Sequence, residues 1–440
     1  MVPTPPTPSR SRVARRLSSV LAVPVVLAVL SGSGVAPSAA LVPLDVAGAT
    51  TAPLPDPAVL TARLATVSTK GIGRVGVVVT TVDGQVLAAR SANTPLTPAS
   101  TIKVLTTMAA VDLLGPDRTF ATRVVDDGDG RIVLVGGGDP LLTDTASTSS
   151  YKPASLQALA RATVASLKAA GRTSVRLRYD AGLFSGPTFS PAWKQKWLGW
   201  EARVAALEIN SGKLAGGRAA SNPPRTAATA FAKRLRAAGI RVTSVLSGRA
   251  AATGTELARV TSTSVSRIVH RTLRISDNVA AETLSRHAAI AGGRDASFRG
   301  ASANLRAWLT AHGLWASGQR VLDGSGLAPA NRLTPAVLAG AIRLALAEER
   351  FAPVIGGLPV AGESGTLTHR FDDPSEQAGR HVVHAKTGTL SGLAGLAGFV
   401  TTADGALLVF AELGDRATSY YRVYDWLDRE AAVMAGCGCR

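Results

Sequence analysis

Three kinds of residue are scarce in this chain of 440 residues, and each scarcity limits the kinds of protein that it can be. Only two cysteines occur, Cys437 and Cys439, both within the last four residues. A disulfide between them is permitted in an exported protein, but one between residues two apart would be strained. No third or fourth ligand lies near them in the sequence to complete a zinc site. We therefore interpret them as part of a loose tail. Aromatic residues make up 5% of the chain, so rows of rings that stack on nucleic-acid bases are not expected.

Lysine is the third scarce residue, and the places where it occurs are informative. Only nine of the 48 basic residues are lysine, which leaves 39 arginines (48 − 9 = 39). Arginine supplies positive charge but does not give up its proton in proteins, whereas lysine can act as a base. Two of the nine lysines belong to short motifs, Ser100-Thr-Ile-Lys103 and Lys386-Thr-Gly388. This distribution indicates that an amine is needed at these two positions.

The bulk composition indicates a folded, basic protein of two or three domains. Hydrophobic residues make up 46% of the chain and charged residues 18%, which is enough for a sizeable core. The net charge is +18, and it falls to +14 without residues 1–40, which hold four arginines and no acidic residue (18 − 4 = 14). Nucleic acid is not the expected partner, because aromatic residues are few and the chain carries an export pattern. We interpret the charge as a diffusely basic surface suited to peripheral association with an anionic cell envelope.

The first 40 residues have the pattern of an export signal. Four arginines within residues 10–16 precede an apolar run at 17–30, which two serines and Pro24 interrupt. Ser38-Ala39-Ala40 then offers the small residues that precede a cleavage site. We predict a signal peptide at 1–40, a proline-punctuated linker at 41–56, and a protein that works in the extracellular or cell-wall space. The alternative is an uncleaved leader that holds the protein at the membrane, although the run is short for a span.

The predicted elements follow the order strands, helices, strands. A hairpin is predicted at 74–89, and a helix at 101–114 ends at a Gly-Pro pair. Helices then dominate from residue 264 to 347, and three strands are predicted between residues 382 and 412. Residues 121–260 have a different predicted pattern from the rest of the chain, because short strands alternate there with amphipathic helices.

This order predicts one domain that is split by an insertion. We expect an α+β fold in which an antiparallel sheet is covered by helices. Its first part is predicted at 57–120 and its second part at 261–440, with an inserted α/β module at 121–260.

Ser100 and Lys103 have the spacing of a nucleophile and its base. Residues i and i+3 of a helix lie on one face, so the Lys103 amine can reach the Ser100 hydroxyl. A serine hydroxyl is a weak nucleophile, and a neutral amine can accept its proton if the lysine pKa is lowered. A second cation nearby lowers that pKa, and Lys386 is the candidate. The first turn of the helix also offers backbone N–H groups to a developing oxyanion.

A second motif, Ser276-Asp-Asn278, follows in the region of predicted helices. Ser276 could pass a proton between Lys103 and the leaving group of an acyl transfer. The side-chain amide of Asn278 has both donors and an acceptor, so it could hold a peptide group of the substrate.

The third motif lies on a predicted strand. The Lys386 ammonium and the hydroxyls of Thr387 and Thr389 could bind a carboxylate of the substrate. Gly388 lets a substrate backbone lie close to the strand, and the Thr389 N–H is a natural second donor to the oxyanion.

Each motif, taken alone, is weak evidence of a catalytic function. The S-x-x-K pattern also occurs at Ser149-Ser-Tyr-Lys152, immediately before a proline. The evidence for a catalytic site therefore comes from the order S-x-x-K, S-D-N and K-T-G, with each motif in its expected structural context. The six histidines show no metal-binding spacing, so we predict no metal and no other cofactor. We expect Glu282 to be a buried hydrogen-bond partner and Ser325 to be a structural turn residue.

In this order the motifs resemble those of the class C, low-molecular-mass penicillin-binding proteins, the D-alanyl-D-alanine carboxypeptidase/endopeptidases. The resemblance covers about residues 57–430 and includes longer stretches outside the three motifs. These are Leu134-Val-Gly-Gly-Gly-Asp-Pro-Leu-Leu142, Asp323-Gly-Ser-Gly-Leu327, Leu358-Pro-Val-Ala-Gly362 with Gly365-Thr-Leu367, and His384-Ala-Lys-Thr-Gly-Thr-Leu390. The resemblance implies a transpeptidase-like domain, of the kind shared with β-lactamases, that is interrupted after the nucleophile helix.

The resemblance also implies a role for each site residue. Ser100 would be the nucleophile, Lys103 the base, Ser276 the proton relay and Asn278 a substrate ligand. The terminal carboxylate would be bound by Lys386, Thr387 and Thr389, and the oxyanion by the N–H groups of Ser100 and Thr389. The substrate would be a peptidoglycan stem peptide that ends in D-Ala-D-Ala, or a crosslink between stems, and β-lactam antibiotics would acylate Ser100 as covalent inhibitors.

Two other functions stay open on the sequence. One is a serine β-lactamase or esterase on the same fold, which the long insert and the lack of an obvious separate deacylating glutamate disfavour. The other is a non-catalytic protein that binds the cell wall.

Overall fold

The computed structural model describes residues 52–199 and 201–438. The strands of this part are β1 (Arg74–Thr81), β2 (Val86–Arg90), β3 (Ala121–Asp126), β4 (Arg131–Val135), β5 (Ser174–Asp180), β6 (Arg241–Ser247), β7 (Thr255–Thr261), β8 (Val383–Leu390), β9 (Leu393–Thr401) and β10 (Leu407–Asp415). The helices are α1 (Pro57–Ala65), α2 (Lys103–Leu114), α3 (Leu156–Ala169), α4 (Pro223–Ala237), α5 (Val265–Arg274), α6 (Asn278–Ala291), α7 (Phe298–Ala311), α8 (Pro335–Ala347), α9 (Ala352–Gly357) and α10 (Tyr420–Ala435).

The first sheet joins the two ends of the described chain. Its strands lie in the order β2-β1-β10-β9-β8, and every neighbouring pair is antiparallel. The side chains of β10 alternate between two apolar clusters, because successive residues of a strand point to opposite faces. Leu408 and Phe410 pack with α1 and α10, whereas Val409 and Ala411 pack with α2, α5 and α8. This is the antiparallel sheet covered by helices that the sequence predicts, and the α+β fold class is confirmed.

The second sheet is built from the chain between α2 and α5. Its strands lie in the order β6-β5-β4-β3-β7, with β5 parallel to both of its neighbours and β3 antiparallel to both of its own. Helices α3 and α4 pack on it through a third apolar cluster. All five strands lie within residues 121–261, whereas the insert bounds of 121–260 stay a prediction.

The start of α2 places the S-x-x-K motif. A 3-10 turn at Ala99–Ile102 runs directly into the helix, so the motif straddles the junction of the two. Nine residues of the helix, from Lys103 to Val111, are buried, and Gly115 ends the helix with a positive φ of 83°. The predicted helix at 101–114 is confirmed, with its first residues in the tighter 3-10 form.

The predicted leader at 1–40 and most of the predicted linker lie outside the described residues. Within the described part, no helix has the length and apolar character needed to cross a bilayer. The interpretation of both cysteines as a loose tail is wrong for Cys437, which is 1% exposed and packs in the cluster formed by α1 and α10. Cys437 is disulfide-bonded, and Cys439 lies outside the described residues.

Gly398 on β9 permits the close approach of β8, the strand that carries the third motif. A Cβ atom at Gly398 would lie 1.9 Å from the carbonyl oxygen of His384 on β8, so no side-chain rotation can relieve the clash. We expect Gly398→Ala to lower the free energy of unfolding by about 1–3 kcal/mol, the range for overpacking, as measured by denaturant unfolding.

The matched control is Gly340→Ala on α8. Its Cβ would approach only the end of the flexible Leu314 side chain, at 3.0 Å, and alanine favours a helix over glycine. We expect this variant to be as stable as the wild type or more stable. Equal stability of the two variants would contradict the close approach of β8 and β9.

Candidate active site

The Lys103 ammonium is the centre of the site. Its Nζ donates hydrogen bonds to Ser100 Oγ at 2.7 Å, to Asn278 Oδ1 at 2.8 Å and to the Ser325 carbonyl oxygen at 2.6 Å. These three acceptors match the three donors of an ammonium group. Because Asn278 and Ser325 lie 175 and 222 residues from Lys103 in sequence, this one side chain connects three distant segments.

Burial controls the protonation of Lys103. The side chain is fully buried, and loss of solvation lowers its pKa to about 8. Four carboxylates oppose this shift, and they belong to Asp323, Glu282, Asp277 and Glu201. The sequence attributed the lowered pKa to a second cation, whereas burial is the largest cause of the shift.

Lys386 differs from Lys103 in its contacts. It is fully buried, and its Nζ donates to the carbonyl oxygen of Thr387 at 2.7 Å and to Thr387 Oγ1 at 3.4 Å. Burial, and secondly the charge of Lys103, hold the Lys386 pKa well below its ordinary value. The predicted role of Lys386 as a carboxylate ligand stays a prediction.

A cavity of about 220 Å³ opens beside the nucleophile. It is lined by Ser100, Ser276, Thr366, Arg370, Thr387, Thr389 and Tyr424. Four of the lining hydroxyls form two hydrogen-bonded pairs. Thr366 Oγ1 pairs with Thr387 Oγ1 at 2.7 Å, and Thr389 Oγ1 pairs with the Tyr424 hydroxyl. The structure thus brings residues of all three predicted motifs to one small polar pocket.

The S-D-N motif forms the tight link between α5 and α6. Ser276 has a positive φ of 58°, which is strained for a residue other than glycine and occurs often at functional sites. Asp277 caps α6, because its carboxylate accepts the Ala280 N–H at 3.0 Å, and it also pairs with Arg271 at 2.7 Å. No hydrogen bond of the Ser276 hydroxyl is found among the described residues, so its role as proton relay stays a prediction.

Glu201 is a site residue that the sequence did not reveal. Asn278 Nδ2 donates to Glu201 Oε2 at 3.2 Å, while Asn278 Oδ1 accepts from Lys103. The carboxylate therefore fixes the orientation of the Asn278 amide. Glu201 lies within the predicted insert, in irregular chain and far from every motif, so no local pattern could have identified it.

Gly388 is required by the close approach of β8 to the nucleophile turn. A Cβ atom there would lie 2.6 Å from the carbonyl oxygen of Pro98 and 3.1 Å from the Thr101 nitrogen. The sequence assigned this glycine to the approach of a substrate backbone, and the structure adds a contact within the protein. The oxyanion hole formed by the N–H groups of Ser100 and Thr389 stays a prediction.

The turn that presents the Ser325 carbonyl is held by two buried carboxylates. Glu282 accepts the N–H groups of Gly324 and Ser325, the latter at 2.8 Å. Asp323 accepts the Gly326 N–H at 2.9 Å and the indole N–H of Trp193 at 2.7 Å. The expectations of a buried hydrogen-bonding Glu282 and a structural Ser325 are confirmed, and this turn directs a carbonyl at the base.

Arg370 and Tyr424 were also absent from the sequence predictions. Arg370 follows the Gly365–Leu367 turn, and Tyr424 lies in the second turn of α10. Neither belongs to one of the three motifs, so only the folded chain shows that they line the pocket.

Known proteins are similar to this chain over most of its length. A profile of the D-Ala-D-Ala carboxypeptidase 3 (S13) family matches residues 60–217 and 213–422. Carboxypeptidase Rv3627c of Mycobacterium tuberculosis is 33% identical over 405 residues, which cover 89% of this chain and 87% of that protein. Carboxypeptidase DacB of Mycolicibacterium smegmatis is 34% identical over 370 residues, with coverage of 81% and 79%.

The fold also matches a solved structure. The crystal structure of penicillin-binding protein 4 from Haemophilus influenzae superposes with a TM-score of 0.72 at 21% identity, and the match covers 86% of this chain and 98% of that one. The mycobacterial relatives span most of the chain, and the residues matched by the family profile include those of the three motifs. The chain is therefore a member of the D-Ala-D-Ala carboxypeptidase 3 (S13) family.

Proposed function

We propose that the protein is a serine D-alanyl-D-alanine carboxypeptidase that acts on peptidoglycan stem peptides through an acyl-enzyme at Ser100. The observation that carries this proposal is the 2.7 Å hydrogen bond between Lys103 Nζ and Ser100 Oγ, made by an amine whose pKa is lowered to about 8. An amine with this pKa is partly neutral near pH 7 and can accept the proton of the hydroxyl.

The chemistry follows from these positions. When Lys103 is neutral, it takes the Ser100 proton as Oγ attacks the carbonyl carbon of the penultimate D-alanine. The tetrahedral intermediate then collapses, the peptide C–N bond breaks, and the departing D-alanine amine receives a proton. Ser276, which lines the pocket, is the proposed relay for that proton. Water attacks the resulting ester, and its hydrolysis restores the Ser100 hydroxyl.

The substrate and inhibitor assignments rest on the family and on the pocket. The names of the mycobacterial relatives describe carboxypeptidases, and a second structure of the Haemophilus influenzae protein holds a β-lactam. A terminal carboxylate suits a pocket lined by threonine hydroxyls, and a β-lactam carries both a reactive carbonyl and a carboxylate. Cleavage of crosslinks between stems is the same chemistry on a longer leaving group, so we include D,D-endopeptidase activity in the proposal.

Export is proposed on the sequence alone. The arginines before an apolar run and the small residues at 38–40 support a signal peptide at 1–40. The net charge of +14 without that segment supports peripheral association with an anionic envelope (18 − 4 = 14).

The nucleophile can be identified by its covalent adduct. We expect mass spectrometry of the protein mixed with benzylpenicillin to show a persistent adduct of one penicillin, carried by the peptide that contains Ser100. Ser100→Ala should show none, because its side chain has no hydroxyl.

The same experiment tests the alternatives. An adduct that disappears within seconds, with hydrolysis of the penicillin, would indicate a β-lactamase. The complete absence of an adduct on the wild type would favour a non-catalytic protein that binds the cell wall.

The role of Lys103 as the base can be tested by substitution. Because arginine does not release its proton, we expect Lys103→Arg to lower the rate of acylation by penicillin as much as Lys103→Ala does, by about 100-fold or more. Lys70→Arg, at an exposed lysine, is the matched control and should acylate at the wild-type rate. Acylation of the Lys103→Arg variant at a near wild-type rate would exclude the proposed base.

The rate of acylation should depend on pH. Because Lys103 acts in its neutral form, kcat/KM for acylation should rise by about tenfold per pH unit below its pKa and level off above pH 8, where the amine is deprotonated. Glu201 raises this pKa through its negative charge, so Glu201→Gln should move the midpoint to lower pH.

Glu349→Gln serves as the control for that profile, since Glu349 is exposed and is not among the carboxylates that act on Lys103. Its midpoint should equal that of the wild type. A Glu201→Gln profile that is unchanged or moves to higher pH would contradict the electrostatic role of this carboxylate.

A further inference from the structure

We infer that the exposed face of helices α3 and α4 binds an envelope polymer that carries phosphate groups along a linear chain. The inference rests on the proposed association with an anionic envelope, and it names the surface that makes this contact. Both helices lie on the second sheet, and neither contributes a residue to the pocket beside Ser100.

The basic charge of the protein is concentrated in one part of the chain. Residues 121–260 hold 20 basic and 9 acidic residues, a net charge of +11 (20 − 9 = 11). Residues 41–120 and 261–440 together hold 24 basic and 21 acidic residues, a net charge of only +3 (24 − 21 = 3). An anionic partner is therefore attracted most strongly to the segment 121–260.

Within this segment, α3 and α4 contain basic residues and no acidic residue. Two nearby carboxylates are already neutralised, because Asp126 pairs with Arg172 and Asp144 pairs with Arg234. Five basic side chains of the two helices are exposed and pair with no carboxylate in the part of the chain that the structure describes. They are Arg161, Lys168, Arg225, Lys233 and Arg236.

The exposed basic residues form one stripe on each helix. On α4, Lys233 and Arg236 follow Arg225 by 8 and 11 residues, and on α3 Lys168 follows Arg161 by 7 residues. Residues at these spacings lie on the same face of a helix. Since the buried residues of both helices pack in the apolar cluster of the second sheet, the two stripes face solvent.

A groove of about 320 Å³ lies between the two helices. It is lined by Gln157, Ala160, Arg161, Val164, Arg234, Ala237 and Ala238. The planar guanidinium group matches the geometry of phosphate oxygens, and Arg161 and Arg234 bring one such group from each helix. The small apolar side chains between them leave room for the uncharged units that separate the phosphates of a polymer.

Stabilisation of the helices is the competing explanation for these charges. A cation in the last turn of a helix interacts favourably with the helix dipole, which accounts for Lys168 and Arg236. Arg225 lies in the first turn of α4, where the dipole disfavours a cation. Lys233 and Arg236 are three residues apart, a spacing at which like charges repel. Helix stability therefore does not explain the basic face.

The composition of this face favours a polymer over a membrane surface. Helices that lie on a bilayer place large apolar residues such as Trp, Phe and Leu on the side that enters the lipid. All large apolar residues of α3 and α4 are buried, and none is exposed beside the basic stripes. Binding by this face thus depends on charge and on the groove, both of which suit a linear polyanion.

The test measures binding of the full-length protein to fluorescently labelled long-chain inorganic polyphosphate by anisotropy, at increasing concentrations of NaCl. For the wild type, we expect log Kd to rise linearly with log [NaCl], as counterions are released on binding. The variant Arg161→Gln/Arg225→Gln/Lys233→Gln should have a Kd at least about tenfold higher at low salt. Its salt dependence should fall by about one unit of slope for each phosphate contact that is lost.

The matched control removes the same charge elsewhere. Arg63→Gln/Lys70→Gln/Arg299→Gln changes three exposed basic residues outside the segment 121–260. We expect its Kd to change by less than about threefold, because distant exposed charges are screened by salt. Equal weakening of binding in the two triple variants would mean that the diffuse charge of the protein is responsible, and it would overturn the inference.

The groove is tested by one substitution at its edge. Ala237 is exposed and lines the groove, so Ala237→Glu would place a carboxylate beside the bound phosphates. We expect Ala237→Glu to weaken polyphosphate binding several-fold, while Ala237→Gln, of the same size, should bind as the wild type does. Equal binding by these two variants would overturn the groove as the site. This pair also gives a reading if the triple variant fails to fold, which thermal unfolding would show.

Two further measurements separate the inference from its alternatives. Wild-type protein that sediments with vesicles of phosphatidylglycerol and phosphatidylcholine, but does not bind polyphosphate, would indicate a membrane surface and overturn the inference. The triple variant at 161, 225 and 233 should be acylated by penicillin at the wild-type rate, since these residues lie outside the active site. A wild type that binds neither polyphosphate nor vesicles overturns both the inference and the envelope association, while its acylation by penicillin would still support the serine peptidase.

Discussion

The buried ammonium of Lys103 is the interaction on which the site depends. An ammonium removed from water is costly unless every donor finds an acceptor, and here the acceptors come from the nucleophile turn, the start of α6 and the Ser325 turn. Nearby carboxylates limit the cost without cancelling it, so the pKa stays below that of a solvated lysine. The burial that accompanies assembly of the pocket therefore also produces a base of useful strength.

The residues around the site form many hydrogen bonds, and these hold the acceptors of Lys103 in position. Glu282 and Asp323 hold the turn that offers a carbonyl to Lys103. Glu201 fixes the amide that offers a second acceptor, and it lies in the predicted insert, away from the three motifs. The chain between α2 and α5 is thus more than a spacer, because one of its side chains orients a group beside the nucleophile.

The sequence predicted the parts of the structure that have strong local patterns. The helix at 335–347 and the last three strands contain long apolar runs, and the three motifs have characteristic residues at fixed spacing. The strands β3 and β7 have weak patterns in the sequence, because charged residues such as Arg123, Asp126 and Glu256 interrupt their apolar residues. Glu201, Arg370 and Tyr424 could not be identified, since their importance depends on tertiary contacts. The direction of the Lys103 pKa shift was predicted, but its cause was not, because burial is a property of the folded chain.

The pairing of β1 with β10 has a consequence for how the protein is made. Arg74 on β1 pairs with Asp415 on β10 across 341 residues, and every other pair of these two strands is comparably distant. The centre of the catalytic sheet therefore cannot close until the ribosome has released nearly the whole chain, and contacts of such long range form slowly. The hairpin of β1 and β2 must wait with an unpaired edge during synthesis, a state in which strands are prone to aggregate. A chain delayed in this way keeps that edge unpaired until β10 has been synthesised, so the last strands of the chain determine when the sheet can form.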